Sequence, residues 1–445
     1  GYGKVQPELV KRFEDFIEIK SNGIIFDRKR YGFTSVNLQK IKPKEYNRGK
    51  IFNSYPSDTN ILRVSSSYLP HDIAATGEMV FVNSILSLLK QLKKYTKLKK
   101  IVFSGGIFQN VSLNNSILES GIFEHVYFPM ASADSGLSLG AALFIENKYK
   151  KRKRKTLLTP LLGPSFSDIE IKKLLDQSRI KYVKDNHIEK TVAKLINDGK
   201  TVGWFQGRAE YGPRSLGSRS ILADPRKFES KSRINQLLKK RDWFMPYAPS
   251  ILEEYMDEFV INPNPSPYMQ IAFKIKDNKK NSIPAAVHVD GTSRIHTVSK
   301  TVNQKYWNLI NEFRLLTGLP IVLNTSFNRH HIPTISEPRQ ALEHLLDGCM
   351  DYLAINDYLI SFDDNRIATE PFKNEETESY SLKRDCIKRL ITLLEIEKDK
   401  KSIIQYVKNL SKLLNIDLSF DGQTFKLEGK NVKQSEIQNT LLAVL

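Results

Sequence analysis

KIVFSGGIFQNVSLNNSILESGIFEHVYFPMASADSGLSLGAAL, Lys100 to Leu143, sets out a strand, a glycine turn, a helix, a second strand and a small-residue helix, in that order. Lys100–Phe103 is a short apolar run that stops at Ser104-Gly105-Gly106, and Asn110–Glu119 reads as a helix opening behind the glycines. Val126–Phe128 is the next strand, and the small residues of Ala131–Leu143 suit a closely packed helix. Strands that alternate with helices predict an α/β fold. Ligands in such folds sit at strand ends, which makes Gly105, Gly106 and Asp134 candidates. A glycine pair lets a nucleotide approach the backbone, and an Asp at a strand end can hold a cation. Taken alone, both segments also read as ordinary turns.

Outward from this stretch, Ile73–Leu92 carries apolar residues at helical spacing, and residues 1–70 are irregular apart from strand-like pieces such as Gly23–Asp27. Downstream, seven of the eight residues Lys148–Lys155 are basic, which marks a linker between domains. Beyond it, helices are expected at Ser167–Gln177, Val192–Asp198, Tyr306–Thr317 and Pro338–Asp347. Strands are expected at Thr201–Phe205, Met269–Ile275, Ile295–Val298 and Pro320–Leu323. This second α/β domain ends near Phe372, and the tail from residue 373 reads as helical through Leu382–Leu394 and Ser402–Leu414.

A chain of 445 residues exceeds one ordinary core, so two or three domains are expected. No run of about 18 apolar residues suggests a membrane span. Two cysteines, Cys349 and Cys386, make no disulfide framework and lack zinc-site spacing, which fits a reducing, cytoplasmic setting. The start at Gly1, without Met or a signal-like segment, reads as a cut in a longer protein. A net charge of +19 raises nucleic acid as a partner, but its concentration in Lys148–Lys155 and in scattered lysines favours a solvated linker and surface.

The densest chemistry is GRAEYGPRSLGSRSILADPR, Gly207 to Arg226. Arg208, Glu210, Arg214 and Arg219 stand among Gly207, Gly212 and Gly217, so guanidinium forks and amide donors sit on backbone that can bend close to an anion. A turn-rich loop with surface-paired arginines explains the same composition. Lys239-Lys240-Arg241 would add charge, and Asn324-Thr325-Ser326-Phe327-Asn328 hydroxyl and amide groups; each alone reads equally as a solvated face or a turn. In HVDGTSRIHTV, His288 to Val298, Asp290-Gly291 marks a turn that projects Arg294 from a strand edge, and His288 and His296 are acid/base candidates or structural residues.

In their order along the chain, GWFQGRAEYGPRSLGSRSILADPR, KKRDWFMPYAPS, SPYMQIAF, IPAAVHVDGTSRIHTV, TGLPIVLNTSFN and MDYLAINDYLI resemble the O-carbamoyltransferase family of nodulation and antibiotic-tailoring enzymes. The resemblance implies the C-terminal part of an actin-like (ASKHA) transfer domain over residues 1–147, a linker at 148–155, a YrdC-like domain over 156–372 and an accessory tail over 373–445. The YrdC-like domain would make carbamoyl adenylate from ATP, with Mg, and carbamoyl phosphate. The other domain would pass the carbamoyl group to a hydroxyl of a small molecule or glycan.

The resemblance also assigns roles. Lys239, Arg241, Arg294, Ser326 and Asn328 would be catalytic, and Arg208, Glu210, Arg214, Arg219, His288, Asp290 and Asn324 would bind substrate. In SGGIFQNVSLNN, Gly105, Gly106, Asn110 and Asn114 would line a nucleotide cleft; in ADSGLSLGAA, Asp134 would be a ligand of a metal, iron in the complete protein. Gly1-Tyr2-Gly3-Lys4 resembles a segment well inside the family's first domain, so the lobe with the metal's paired histidines would precede it. Met245 stands where the family has Arg, His296 where it has Gln, and His331-Ile332-Pro333 replaces Gly-Glu-Pro. Nucleic acid and membrane are not expected as partners, and the tail leaves room for a homodimer. A tRNA-modifying relative and a non-catalytic nucleotide-binding fragment are the alternatives. A hydrogenase-maturation relative would bring acylphosphatase and zinc-finger segments that this sequence lacks.

Overall fold

The computed structural model describes residues 3–15, 17–20, 23–26, 65, 67–150, 159–235, 247–329, 332–365, parts of 386–394, and 400–444. Lys239, Arg241, Met245, His330, His331 and most of the basic run lie outside the described residues. The chain divides into two compact units, one of Gly1–Lys97 with Asn374–Leu445 and one of Leu98–Lys373.

The larger unit is built on a mixed sheet in which eight strands are described. In chain order they are β1 (Val183–Lys184), β2 (Val202–Phe205), β3 (Arg219–Ala223), β4 (Ala248–Leu252), β5 (His296–Val298), β6 (Ile321–Ser326), β7 (Tyr352–Ile355) and β8 (Tyr358–Ser361). They lie side by side as β5–β4–β6–β3–β2–β7–β8–β1, with β5/β4 and β2/β7 parallel and the other pairs antiparallel. Such a sheet is the α/β fold expected from the sequence.

Strand periodicity explains the layers. Val202 and Trp204 of β2 face a core with Leu222, Leu252 and Val322, closed by Val192 and Ile196 of the helix Ile188–Asn197 and by Tyr306, Ile310 and Phe313 of the helix Gln304–Thr317. On the opposite side of β2, Gly203 leaves room for others: a Cβ there would lie 2.5 Å from Met350 Sδ and 2.9 Å from Phe327 Cζ. Five of these strands, β1, β3, β4, β7 and β8, escape the sequence reading, two of them for evident physical reasons. β3 lies inside the arginine-rich segment, and β4 contains Pro249, which lacks a ladder donor and argues against a central strand.

Residues 98–147 belong to this same unit. Lys100–Val102 and His125–Tyr127 pair in parallel, and Asn114 Nδ2 donates to the backbone oxygens of Phe108 and Gln270, each at 2.8 Å. The division by contacts therefore falls at Lys97, while the sequence marks the basic run further on. The small-residue helix runs over Gly136–Lys150 rather than from Ala131, because Ala131–Ser135 is committed elsewhere: Ser132 O accepts from Gly105 N at 2.6 Å.

In the smaller unit the helix Pro70–Thr96 packs Val80 against Leu9 and Phe13 of the helix Pro7–Glu14, with Asp72 accepting from Lys4 N and Gln6 Nε2. By length and composition this helix is long and apolar enough to cross a membrane, although the sequence reading marked no such run. The tail is more than helical. Lys400–Leu414 buries Ile403, Val407, Leu410 and Leu414 at helical spacing, and three short antiparallel strands follow: Leu418–Phe420, Phe425–Leu427 and Lys430–Val432. Three-residue strands are too short to show a period. Leu69 shares their core, and Asn409 Nδ2 donates to Ser67 O. Cys349 and Cys386 are both buried, and neither is in a disulfide.

Candidate functional site

Sheet register gathers most of the candidates at one end. Phe205 pairs with Arg219, Ser326 with Ser220, and Asn324 with Ala248, the first residue of β4. The loop Gly207–Ser218, which joins β2 to β3, therefore leaves the sheet where Ser326 ends β6, two residues before Asn328. Arg294 precedes β5, whose first residue His296 pairs with Ser250, the middle residue of β4.

The loop holds itself in shape with its own charged groups. Glu210 Oε1 accepts N–H bonds from Leu216 (2.8 Å), Ser218 (2.6 Å) and Arg219 (3.1 Å). Arg219 is fully buried, its guanidinium 3.5 Å from the Phe205 ring centroid. It donates to the backbone oxygens of Gln206, Ser218, Pro164 and Gly207 at 3.0–3.2 Å. Burial lowers its pKa to about 10, so it stays charged at neutral pH. Glu210 and Arg219, expected to bind substrate, are thus occupied in building the loop. Gly217 has φ +92, and a Cβ there would lie 2.0 Å from Tyr306, so only glycine fits.

Two arginines are differently placed. Arg208 is exposed and gives one hydrogen bond, to Leu162 O at 2.7 Å. Arg214 is partly buried, burial pulls its pKa down, and it forms no hydrogen bond or ion pair with the described residues. A desolvated cation without a counter-charge favours an incoming anion.

Asn324 is fully buried. Its Nδ2 donates to Ser215 O (3.0 Å) and Ser250 Oγ (2.9 Å), and Ser250 Oγ lies 2.9 Å from His296 Nδ1. Ser250 was missed by sequence reasoning because its strand was. Burial drops His296 to about 3, so it is neutral at pH 7. Ser326 Oγ donates to Asn328 Oδ1, and Asn328 Nδ2 binds the oxygens of Arg329 and Ile332, which folds Ser-x-Asn into a compact turn. Asp290 accepts from Thr292 N and Oγ1, and the same Thr292 hydroxyl lies 3.1 Å from His288 Nδ1. Together they shape the turn that leads into the strand Thr292–Arg294.

The glycine–asparagine segment lies elsewhere in the unit. Gly105 has φ +124, and no described atom would meet a Cβ at Gly105 or Gly106, so one side of the turn is open. Asn110 caps the helix Val111–Glu119 by accepting from Ser112 N and Leu113 N. Asn114 Nδ2 is taken up by its two carbonyl bonds, while its buried Oδ1 has no partner among the described residues. The loop is joined instead to the segment that carries Asp134: Tyr211 OH donates to Ser135 O and lies 2.6 Å from Ser138 Oγ.

Family descriptions of the carbamoyltransferase N-terminus and C-terminus match residues 2–143 and 193–361 respectively. The chain belongs to the carbamoyltransferase family. The nodulation protein NolNO of Sinorhizobium fredii is 37% identical over 65% of this chain and 44% of its own length. NolO of Bradyrhizobium diazoefficiens is 35% identical over 65% and 54%. An uncharacterised protein of Methanocaldococcus jannaschii is 36% identical over 65% and 56%. The chain spans about half the length of these curated relatives. A crystal structure of full-length HypF with phosphate and nucleotide bound covers 40% of the chain and 22% of its own, at 22% identity and TM-score 0.27, too slight a likeness to argue from.

The carbamoyltransferase family resemblance implies a metal at Asp134. Asp134 is exposed, and among the described residues no three His, Cys, Asp or Glu side chains converge on a common point. One carboxylate does not make a metal site, so no step below runs through a metal.

Proposed function

We propose that this carbamoyltransferase activates carbamoyl phosphate with ATP and passes the carbamoyl group to an acceptor hydroxyl. Residues 156–372 act as a YrdC-like adenylating domain, and residues 1–147 as part of an actin-like transfer domain. Atom balance uses one water: carbamoyl phosphate is hydrolysed to carbamate and phosphate, a carbamate oxygen attacks the α-phosphorus of ATP, and pyrophosphate leaves. The acceptor oxygen then attacks the carbamoyl carbon, losing its proton as AMP departs.

The observation that carries this reading is Arg214, a desolvated guanidinium without a counter-ion among the described residues. It stands on a loop made rigid by Glu210 and Arg219. Fixed cations aimed at developing phosphate charge stabilise it without reorganisation. Arg208, Arg294, Lys239 and Arg241 add to the field, while Ser326 and Asn328 orient the carbamoyl end. Arg219 and Glu210 serve this site through the shape of the loop. Mg would accompany the nucleotide.

Carbamoyl-phosphate-dependent ATP–pyrophosphate exchange tests the reading. Exchange by the unmodified protein, lost in Arg214→Ala and Lys239→Ala, supports it. Undiminished exchange in both variants removes it, and steeply salt-dependent tRNA binding without exchange would favour an RNA-directed role.

A further inference from the structure

Arg214 forms no hydrogen bond or ion pair with the described residues, so no polar contact of its own side chain fixes where its charge stands. That falls to the backbone on which it is mounted. Ser215 O, one residue on, accepts from Asn324 Nδ2 at 3.0 Å, and Gly217 O accepts from Trp204 Nε1 at 3.1 Å. Glu210 takes the amides of Leu216 and Ser218, and Gly217 packs against the Tyr306 ring.

The Asn324 amide is fixed in turn by two further residues. Ser215 O can only accept, so it is Nδ2 that faces it, and the second Nδ2 proton goes to Ser250 Oγ at 2.9 Å. Ser250 offers that amide a lone pair only while its own proton points elsewhere, and His296 Nδ1, 2.9 Å away, takes that proton. Sheet register sets the order. His296 and Ser250 are paired residues of β5 and β4, and Asn324 lies on the next strand, β6. All three are buried, and the His296 ring stacks on Tyr306 with centroids 6.2 Å apart, which limits its freedom to turn.

The geometry points to Ser250 and His296 as positioning residues for Arg214. His296 sets the Ser250 hydroxyl, Ser250 sets the Asn324 amide, and Asn324 holds the Ser215 carbonyl next to the arginine. The assignment rests on Arg214 as the anion-binding group of the reading above. An anion that meets a fixed guanidinium keeps the whole of the attraction, whereas one that must first order the loop loses part of it. The chain of bonds therefore acts on the anion only through Arg214.

Tripolyphosphate titrated into the full chain by calorimetry tests this, with urea unfolding to confirm that each variant is folded. Ser250→Ala should weaken binding about fivefold, the usual effect of losing one hydrogen bond, and His296→Phe, which keeps a ring against Tyr306 but no acceptor, about threefold. His296→Gln, whose side-chain oxygen can take the same Ser250 proton, should restore binding to within about twofold of the unmodified protein. In an Arg214→Ala background Ser250→Ala should change the affinity by less than about 1.5-fold, because groups that act through one side chain are not additive. Undiminished binding in Ser250→Ala overturns the proposal, and so does an equal loss with and without Arg214, the mark of general loosening. No tripolyphosphate binding by the unmodified chain overturns it too, and His296→Gln as weak as His296→Phe removes His296 from the chain. Should Ser250→Ala fail to fold, His296→Phe and His296→Gln carry the same cycle. If the coupling to Arg214 is found but the unmodified protein shows no carbamoyl-phosphate-dependent exchange, the positioning stands and the activation reading falls.

Discussion

The loop Gly207–Ser218 and the glycine–asparagine segment Ser104–Asn115 look alike as sequence: glycines for close approach, polar side chains at regular spacing. Their structures differ in what is left over. Within the segment, Asn110 caps a helix and Asn114 ties two carbonyls, and Asp134, two residues beyond the Ser132 whose oxygen accepts from Gly105 N, stands exposed without a cluster of ligands among the described residues. In the loop, Glu210 and Arg219 satisfy the backbone so completely that Arg214 can be held partly buried with nothing described to neutralise it. Polar residues become a site only when others have already met the demands of the backbone.

The largest expected effect breaks that comparison most directly. Arg214→Ala should lower carbamoyl-phosphate-dependent exchange by about 10²–10³, the usual loss for one preorganised group on developing charge, while Asp134→Asn should leave it within about twofold. Equal losses would show that both regions serve the adenylation step.

Stability comes next. Glu210→Ala strands three loop N–H groups and the buried Arg219 charge, and should cost about 3 kcal/mol in urea unfolding. Arg219→Met keeps much of the volume but abandons four carbonyls, and should cost about 2 kcal/mol. Asn110→Ala removes only a helix cap, at about 1 kcal/mol. If Glu210→Ala proves no more costly than Asn110→Ala, the loop is not self-supporting.

The smallest effect is a slope. The folded pKa of His296, about 3, lies below its ordinary 6.5, so below pH 6.5 the unfolded chain binds a proton that the folded chain refuses. The contribution is fully present above pH 6.5 and is lost as pH falls toward 3. Unfolding midpoints at pH 7 and pH 4.5 should therefore differ less in His296→Gln than in the unmodified protein; equal differences would mean that water reaches the ring.

Much of this was legible. Apolar periodicity located the helices Asp168–Gln177, Gln304–Thr317 and Pro338–Leu346 to within a few residues, because each buries one stripe. β3 and β4 were not legible, since one hides among arginines and the other contains a proline, and with β4 went Ser250. Arg226 shows the limit of composition: it reads as one more cation of the loop, yet it is paired at 2.7 Å with the buried Asp224 and bonded to Asn197.

The sequence by itself determined the residue types, their order and hence the family, because those are written in one dimension. Only the tertiary structure decided which charges are spent and which are left. Arg208, Arg214 and Arg219 are equivalent as letters. Their difference is made by desolvation and by carbonyls 12 and 55 positions away at Gly207 and Pro164, and electrostatic availability follows distance in space rather than in sequence.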